Sequence, residues 1–169
     1  MIVKLNDFVF NGIAGDVLSF EDFLSSPYLY DQGLVKIVKG ERSYDAYSVS
    51  DVLANEDKPI KIEGFERFSQ TVYDECERLA EHFDHTGPVT CHVFISPKGS
   101  TSFPLHVDLD DVVVHMVRGE KVFESPSGDF VLSEGDSLFI PHGTEHRAVN
   151  TESSVMLSIG LERFIKEKL

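Results

Sequence analysis

The chain has 169 residues, 41% of them hydrophobic, and its 29 acidic side chains outnumber 15 Lys and Arg for a formal charge of -14. That length fits one domain over 1–169 with a core of its own. No apolar run approaches the roughly eighteen residues that cross a bilayer, and the acidity opposes binding to a phosphate backbone. The opening MIVKLNDFVF lacks the basic and apolar regions of an export signal, so a cytoplasmic protein is expected. Cys76 and Cys91 stand outside any CxxC spacing and read as buried free thiols.

Residues 1–87 are mixed in character. The pattern predicts a strand at 1–10, a short helix opening at Ser19, a strand at 34–38 and a second helix opening at Ser50. From 65 to 83, Phe65, Phe68, Val72, Cys76, Leu79, Ala80 and Phe83 recur at three- and four-residue steps, which predicts an amphipathic helix. His82 and His85 close it, where a cation suits the helix dipole. Residues 88–161 change to strand grammar: VTCHVFIS, PLHVDL, DVVVHMV, KVFES, DFVL, SLFIP, HRAVN and SVMLSIGL, parted by tight turns such as RGE, SPSG and SEGD. The expected fold is therefore mainly β, a jelly-roll barrel with the N-terminal helices packed outside it. Residues 162–169 form a tail, read as a short helix or frayed end.

Within this barrel the spacing Gly135, Pro141, Gly143, His146, Asn150 sits in GDSLFIPHGTEHRAVN. It resembles the second sequence motif of the cupins, whose fold is a double-stranded β-helix. A turn at Gly135-Asp136, a buried SLFI strand and a Pro-x-Gly corner would aim His146 into the barrel. The first cupin motif commonly has two histidines one residue apart; here the pair is His106 and Asp108. Side chains alternate along a strand, so residues 106 and 108 share a face. Two histidines and one carboxylate make the facial arrangement of non-haem iron(II) oxygenases. Three open coordination positions would admit a chelating cosubstrate. If it is 2-oxoglutarate, its far carboxylate needs a cation inside the barrel, because an unpaired buried anion costs several kcal/mol.

Lys121, fifteen residues after His106 and just beyond the turn Arg118-Gly119-Glu120, meets that need. Here HVDLDDVVVHMVRGEKVFES, with GDSLFIPHGTEHRAVN and SVMLSIGL, resembles the JmjC-type, cupin-fold oxygenases that depend on iron(II) and 2-oxoglutarate. The resemblance covers residues 88–161. It implies that His106, Asp108 and His146 bind iron and act in catalysis, and that Lys121 binds 2-oxoglutarate. Many members place a Thr or Ser hydroxyl three residues before the first histidine; this chain has Phe103 there, beside Thr101 and Ser102.

Alternation in VTCHVFIS puts Thr90, His92 and Phe94 on one face. If it is inward, Thr90 or His92 could replace the missing hydroxyl contact, and a plain core or outer histidine is the alternative. In SVMLSIGL the small face of Ser154, Met156, Ser158 and Gly160 could wall the pocket or face outward. His115 is expected to point away from the metal, His142 to occupy a variable corner, and Asp110 and Asp111 to be surface acids.

The expected activity is that of a 2-oxoglutarate-dependent dioxygenase hydroxylating a peptide or protein side chain or a small molecule. Net acidity favours a basic or neutral substrate. A redox-neutral cupin, an isomerase or epimerase using zinc or manganese, is the first alternative, and Asp108 in a histidine's usual place opposes it. A metal-free small-ligand module is the second, opposed by the complete three-ligand spacing. Jelly-roll edges often pair between subunits, so a homodimer stays open.

Overall fold

The strand grammar becomes two antiparallel sheets in a computed structural model that describes residues 1–163. In chain order the strands are β1 (Val3–Lys4), β2 (Val35–Lys39), β3 (Arg42–Asp45), β4 (Ile60–Ile62), β5 (Val89–Ser96) and β6 (Asp111–Arg118). They continue as β7 (Lys121–Ser125), β8 (Gly128–Leu132), β9 (Ser137–Ile140), β10 (Arg147–Val149) and β11 (Ser154–Leu161). An eight-stranded sheet runs β1-β9-β6-β11-β5-β4-β2-β3 and faces a three-stranded sheet, β10-β7-β8. This is a mainly β, cupin-like double-stranded β-helix. The tail expected at 162–169 lies, from residue 164 on, outside the described residues.

The central strand β11 shows how the sequence builds two layers. Val155, Leu157, Ile159 and Leu161 are buried on one face, against the helical side, and Met156 is buried on the other, inside the barrel. Each fully buried aliphatic side chain contributes roughly 1.5–3 kcal/mol, so the strand's register is strongly held. Slipping it by one residue would exchange its Val, Leu and Ile face for its serines. The outer core joins this face to Val17, Leu29, Phe65, Val72, Cys76 and Leu79 from the N-terminal half. The inner core is smaller and packs Val114, Met116, Leu138 and Ile140 against Phe123 and Leu132 of the three-stranded sheet.

The helices are α1 (Ala14–Leu18), α2 (Phe20–Leu24), α3 (Pro27–Asp31), α4 (Val49–Leu53) and α5 (Gln70–His82). None among the described residues is long and apolar enough to cross a membrane. The helix predicted over 65–83 divides. Gly64 adopts a left-handed φ of 65°, Phe65–Arg67 form one 3₁₀ turn, and Ser69 restarts the chain as the cap of α5, its Oγ accepting the Val72 N–H at 3.1 Å. A serine that bonds its own backbone competes with helix propagation, which is why the division falls there. Cys76 of α5 and Cys91 of β5 are free and buried, as expected.

Two further differences bear on the site. The strand expected at 1–10 shrinks to β1, and PLHVDL is irregular save for one bridge, His106 to His146. Pro104 has no N–H to give a ladder. In addition, β2, β3 and β4 extend the large sheet beyond the barrel, with β4 paired to β5.

Candidate metal centre

His106 and His146 come from loops that meet across that single bridge, with backbone bonds of 3.1 Å from His106 N to His146 O and 2.9 Å in return. Asp108 is held from the other side, because its carbonyl accepts the Gly143 N–H at 2.9 Å, within the Pro-x-Gly corner. One histidine lies 38 residues along the chain from the acid, yet the three side chains offer ligand atoms within 4.8 Å of one another. The Nε2 atoms of His106 and His146 stand 3.5 and 3.2 Å from the two Asp108 carboxylate oxygens.

Both imidazoles are oriented by the backbone. His106 Nδ1 lies 2.8 Å from the Pro104 carbonyl and His146 Nδ1 2.8 Å from the Thr144 carbonyl. A carbonyl only accepts, so each Nδ1 carries a proton, and each Nε2, which faces Asp108, is the nitrogen that binds a metal once its own proton is lost. Burial alone would raise the Asp108 carboxyl, but hydrogen bonds from His106 and His146 outweigh it and hold the group well below the usual carboxylate range. The same Asp108 contact raises His106. A divalent ion taking this position would displace protons from the imidazoles and keep the carboxylate ionised.

Beyond the triad opens a cavity of about 470 Å³. Its lining includes Lys121, Thr90, His92 and Ser158, so all four residues proposed from sequence as cosubstrate contacts face one space with His106, Asp108 and His146. Lys121 is 1% exposed; its Nζ donates to Ser96 Oγ at 3.1 Å and lies 5.8 Å from the Phe94 ring centroid. No carboxylate pairs with it among the described residues, and burial pushes its ammonium down to about 7.

His92 accepts the Gly64 N–H on Nδ1 at 3.4 Å. A backbone N–H only donates, so the ring presents Nε2–H as a donor. Burial, helped by the charge of Lys61, lowers this imidazole to about 4 and keeps it neutral. Thr90 Oγ1 donates to Glu162 at 3.4 Å. Phe103 packs edge-on against His106, and Ser102 accepts from Asn150 at 2.8 Å.

The other histidines are tied elsewhere. His115 bonds Ser137 at 2.7 Å and packs on Phe10, away from the cavity, and burial lowers it to about 4. His142 donates to Asp111 at the corner, and Asp110 accepts the Arg163 N–H. Sequence reasoning missed the wall supplied by the N-terminal half, Val38, Pro59 and Lys61. A signal was present: Ile60-Lys61-Ile62 alternates, with both isoleucines in the outer core and the lysine on the cavity face.

Comparison with known proteins supports the fold. The family described as cupin domain matches residues 92–160. This barrel has the cupin fold. Over 85 residues, 48% of the chain, it is 32% identical to the bifunctional lysine-specific demethylase and histidyl-hydroxylase NO66 of Branchiostoma floridae. Over 117 residues, 57% of the chain, it is 28% identical to ribosomal oxygenase 2 of Rattus norvegicus. These matches cover 14% and 24% of the two relatives, so the chain corresponds to a minor part of each. YcfD, a ribosomal oxygenase from Escherichia coli solved with cobalt and 2-oxoglutarate, superposes with a TM-score of 0.68 at 17% identity. That likeness covers 96% of this chain and 48% of the other, and it is one of fold. The resemblance of this cupin-fold barrel to the JmjC-type oxygenases therefore holds, and the fold likeness extends to the N-terminal half.

Proposed function

We propose that the chain is a cytoplasmic iron(II)- and 2-oxoglutarate-dependent dioxygenase that hydroxylates a peptide or protein side chain or a small molecule. The observation that carries this reading is the fully buried Lys121, without a carboxylate partner among the described residues, on the wall of the cavity that the triad opens into. A buried cation is costly unless it is paired, and a dicarboxylate chelating a metal at the triad would supply the missing charge. Two donor nitrogens and one carboxylate oxygen fit iron(II). Relatives named for histidyl hydroxylation and as ribosomal oxygenases favour a protein side chain as substrate.

In this reading His106, Asp108 and His146 hold the metal on one side and leave the cavity side open. Bound iron(II) would supply the activation of dioxygen coupled to oxidative decarboxylation of 2-oxoglutarate. Lys121 fixes the far carboxylate, and the Nε2–H of His92 with the Ser158 hydroxyl donates to the cosubstrate's other oxygens in place of the hydroxyl that Phe103 lacks, while Thr90, whose hydroxyl reaches Glu162, lines the same wall. The apolar wall of Val112, Val114 and Met156 keeps water from the reacting centre.

Anaerobic addition of iron(II) and 2-oxoglutarate tests this. The expected result is the weak visible charge-transfer band of a chelated complex. Zinc binding with no such band would replace the oxygenase with a redox-neutral metal cupin.

A further inference from the structure

The extension of the large sheet by β2 and β4 opens a second depression of about 520 Å³ beside the metal cavity, and the two share Val38 and Pro59 as walls. Its charged lining is Lys39, Lys58 and Lys98 against one acid, Asp57, whereas acids outnumber bases 29 to 15 in the whole chain. A fourth lysine, Lys61, stands on the cavity side of the shared wall. Lys58 contacts Asp57 at 3.1 Å and Lys39 lies 5.7 Å from the Tyr44 ring centroid. Lys61 lies 5.8 Å from the centroid of the Phe94 ring, and among the described residues no carboxylate pairs with Lys61 or Lys98. Glu41 lies farther along, in the next depression past Gly40. A local excess of cations in a chain of charge -14 is an electrostatic target that net charge conceals.

We propose that this groove binds an acidic, extended peptide segment and leads its reacting side chain past Lys61 into the metal cavity. The inference rests on the oxygenase reading for what happens in the cavity, and it names the substrate class: a peptide with carboxylates flanking the modified residue. Pro59, Pro97 and the side-chain-free Gly40 and Gly99 leave room for a main chain. No aromatic ring lines the depression to stack a base. Local lysines thus reverse the substrate preference that net acidity alone suggests.

Fluorescence anisotropy on the full chain, without metal or cosubstrate, tests the groove separately from the chemistry. The probes are fluorescein-labelled (Gly-Glu)₄, (Gly-Lys)₄ and an octamer of oligouridylate at low salt. The Glu peptide should bind best and weaken as salt rises. Joint reversal Lys39→Glu, Lys58→Glu and Lys98→Glu should weaken it by about tenfold or more. A charge-matched reversal elsewhere, Lys4→Glu, Arg67→Glu and Arg118→Glu, should leave most of the affinity. Tighter binding of the Lys peptide or of the oligonucleotide overturns the proposal. So does no binding of the Glu peptide, or equal losses in the two triple variants. Thermal melting of both variants checks their folding. A protein that binds the Glu peptide but forms no charge-transfer complex would sink the oxygenase reading and spare the groove.

Discussion

Replacing Lys121 with Met should stabilise the ligand-free protein while removing most of its affinity for 2-oxoglutarate. Burial lowers the ammonium from 10.5 to about 7, and among the described residues its only direct polar contact is the Ser96 hydroxyl. Each pKa unit corresponds to ~1.4 kcal/mol, so the shift is a penalty of at most about 5 kcal/mol below pH 7, where the group is charged both folded and unfolded. Between pH 7 and 10.5 the unfolded chain binds the additional proton. Stability therefore rises with pH across that window, and the advantage of the variant shrinks there. Apolar replacement of a buried charge recovers about 1–4 kcal/mol. At about 2 kcal/mol, the melting temperature of a chain this size rises by roughly 4–8 °C.

Removing the lysine leaves the far carboxylate unpaired in a buried site, a loss of ~3–5 kcal/mol, or more than about a hundredfold in Kd. Thermal denaturation near pH 6 and pH 9, with calorimetric titration of 2-oxoglutarate into the metal-loaded protein, reads both effects. A variant that melts below the parent near pH 6 and binds 2-oxoglutarate undiminished would refute the reasoning.

Asp108→Ala should weaken iron(II) by at least ~100-fold, abolish the charge-transfer band and return the raised His106 imidazole toward its ordinary range, read by metal titration and by NMR of the ring. Gly119→Ala tests the turn that delivers Lys121. Gly119 holds φ at 81°, and an added Cβ would lie 2.2 Å from the Ser153 carbonyl. The backbone must move, so a loss of about 2 kcal/mol or more is expected in urea unfolding. An unchanged midpoint would mean the turn is freer than drawn.

Much of the site was legible because strand alternation and turn chemistry are local. Residues Val89–Ser96, Lys121–Ser125 and Ser154–Leu161 form the strands their patterns predicted. Period-two placement put Thr90 and His92 on one face and set His115 opposite Val114 and Met116. The stretch around His106 was less legible. HVDLDD alternates like a strand, but the backbone leaves the ladder there to bring its side chains to His146.

From sequence alone came the mainly β barrel, the His-x-Asp pair, the distant histidine and the lysine at its fixed offset, each set by spacing along one stretch of chain. Tertiary structure alone decided that β4 lies beside β5, that Lys61 shares the metal cavity, and that Lys39, Lys58 and Lys98 gather at one groove. Lys39, Lys58 and Lys98 are far apart in sequence and meet only through strand pairing. Burial likewise, absent from any local pattern, turns Lys121 from an ordinary turn lysine into a cation in need of a partner.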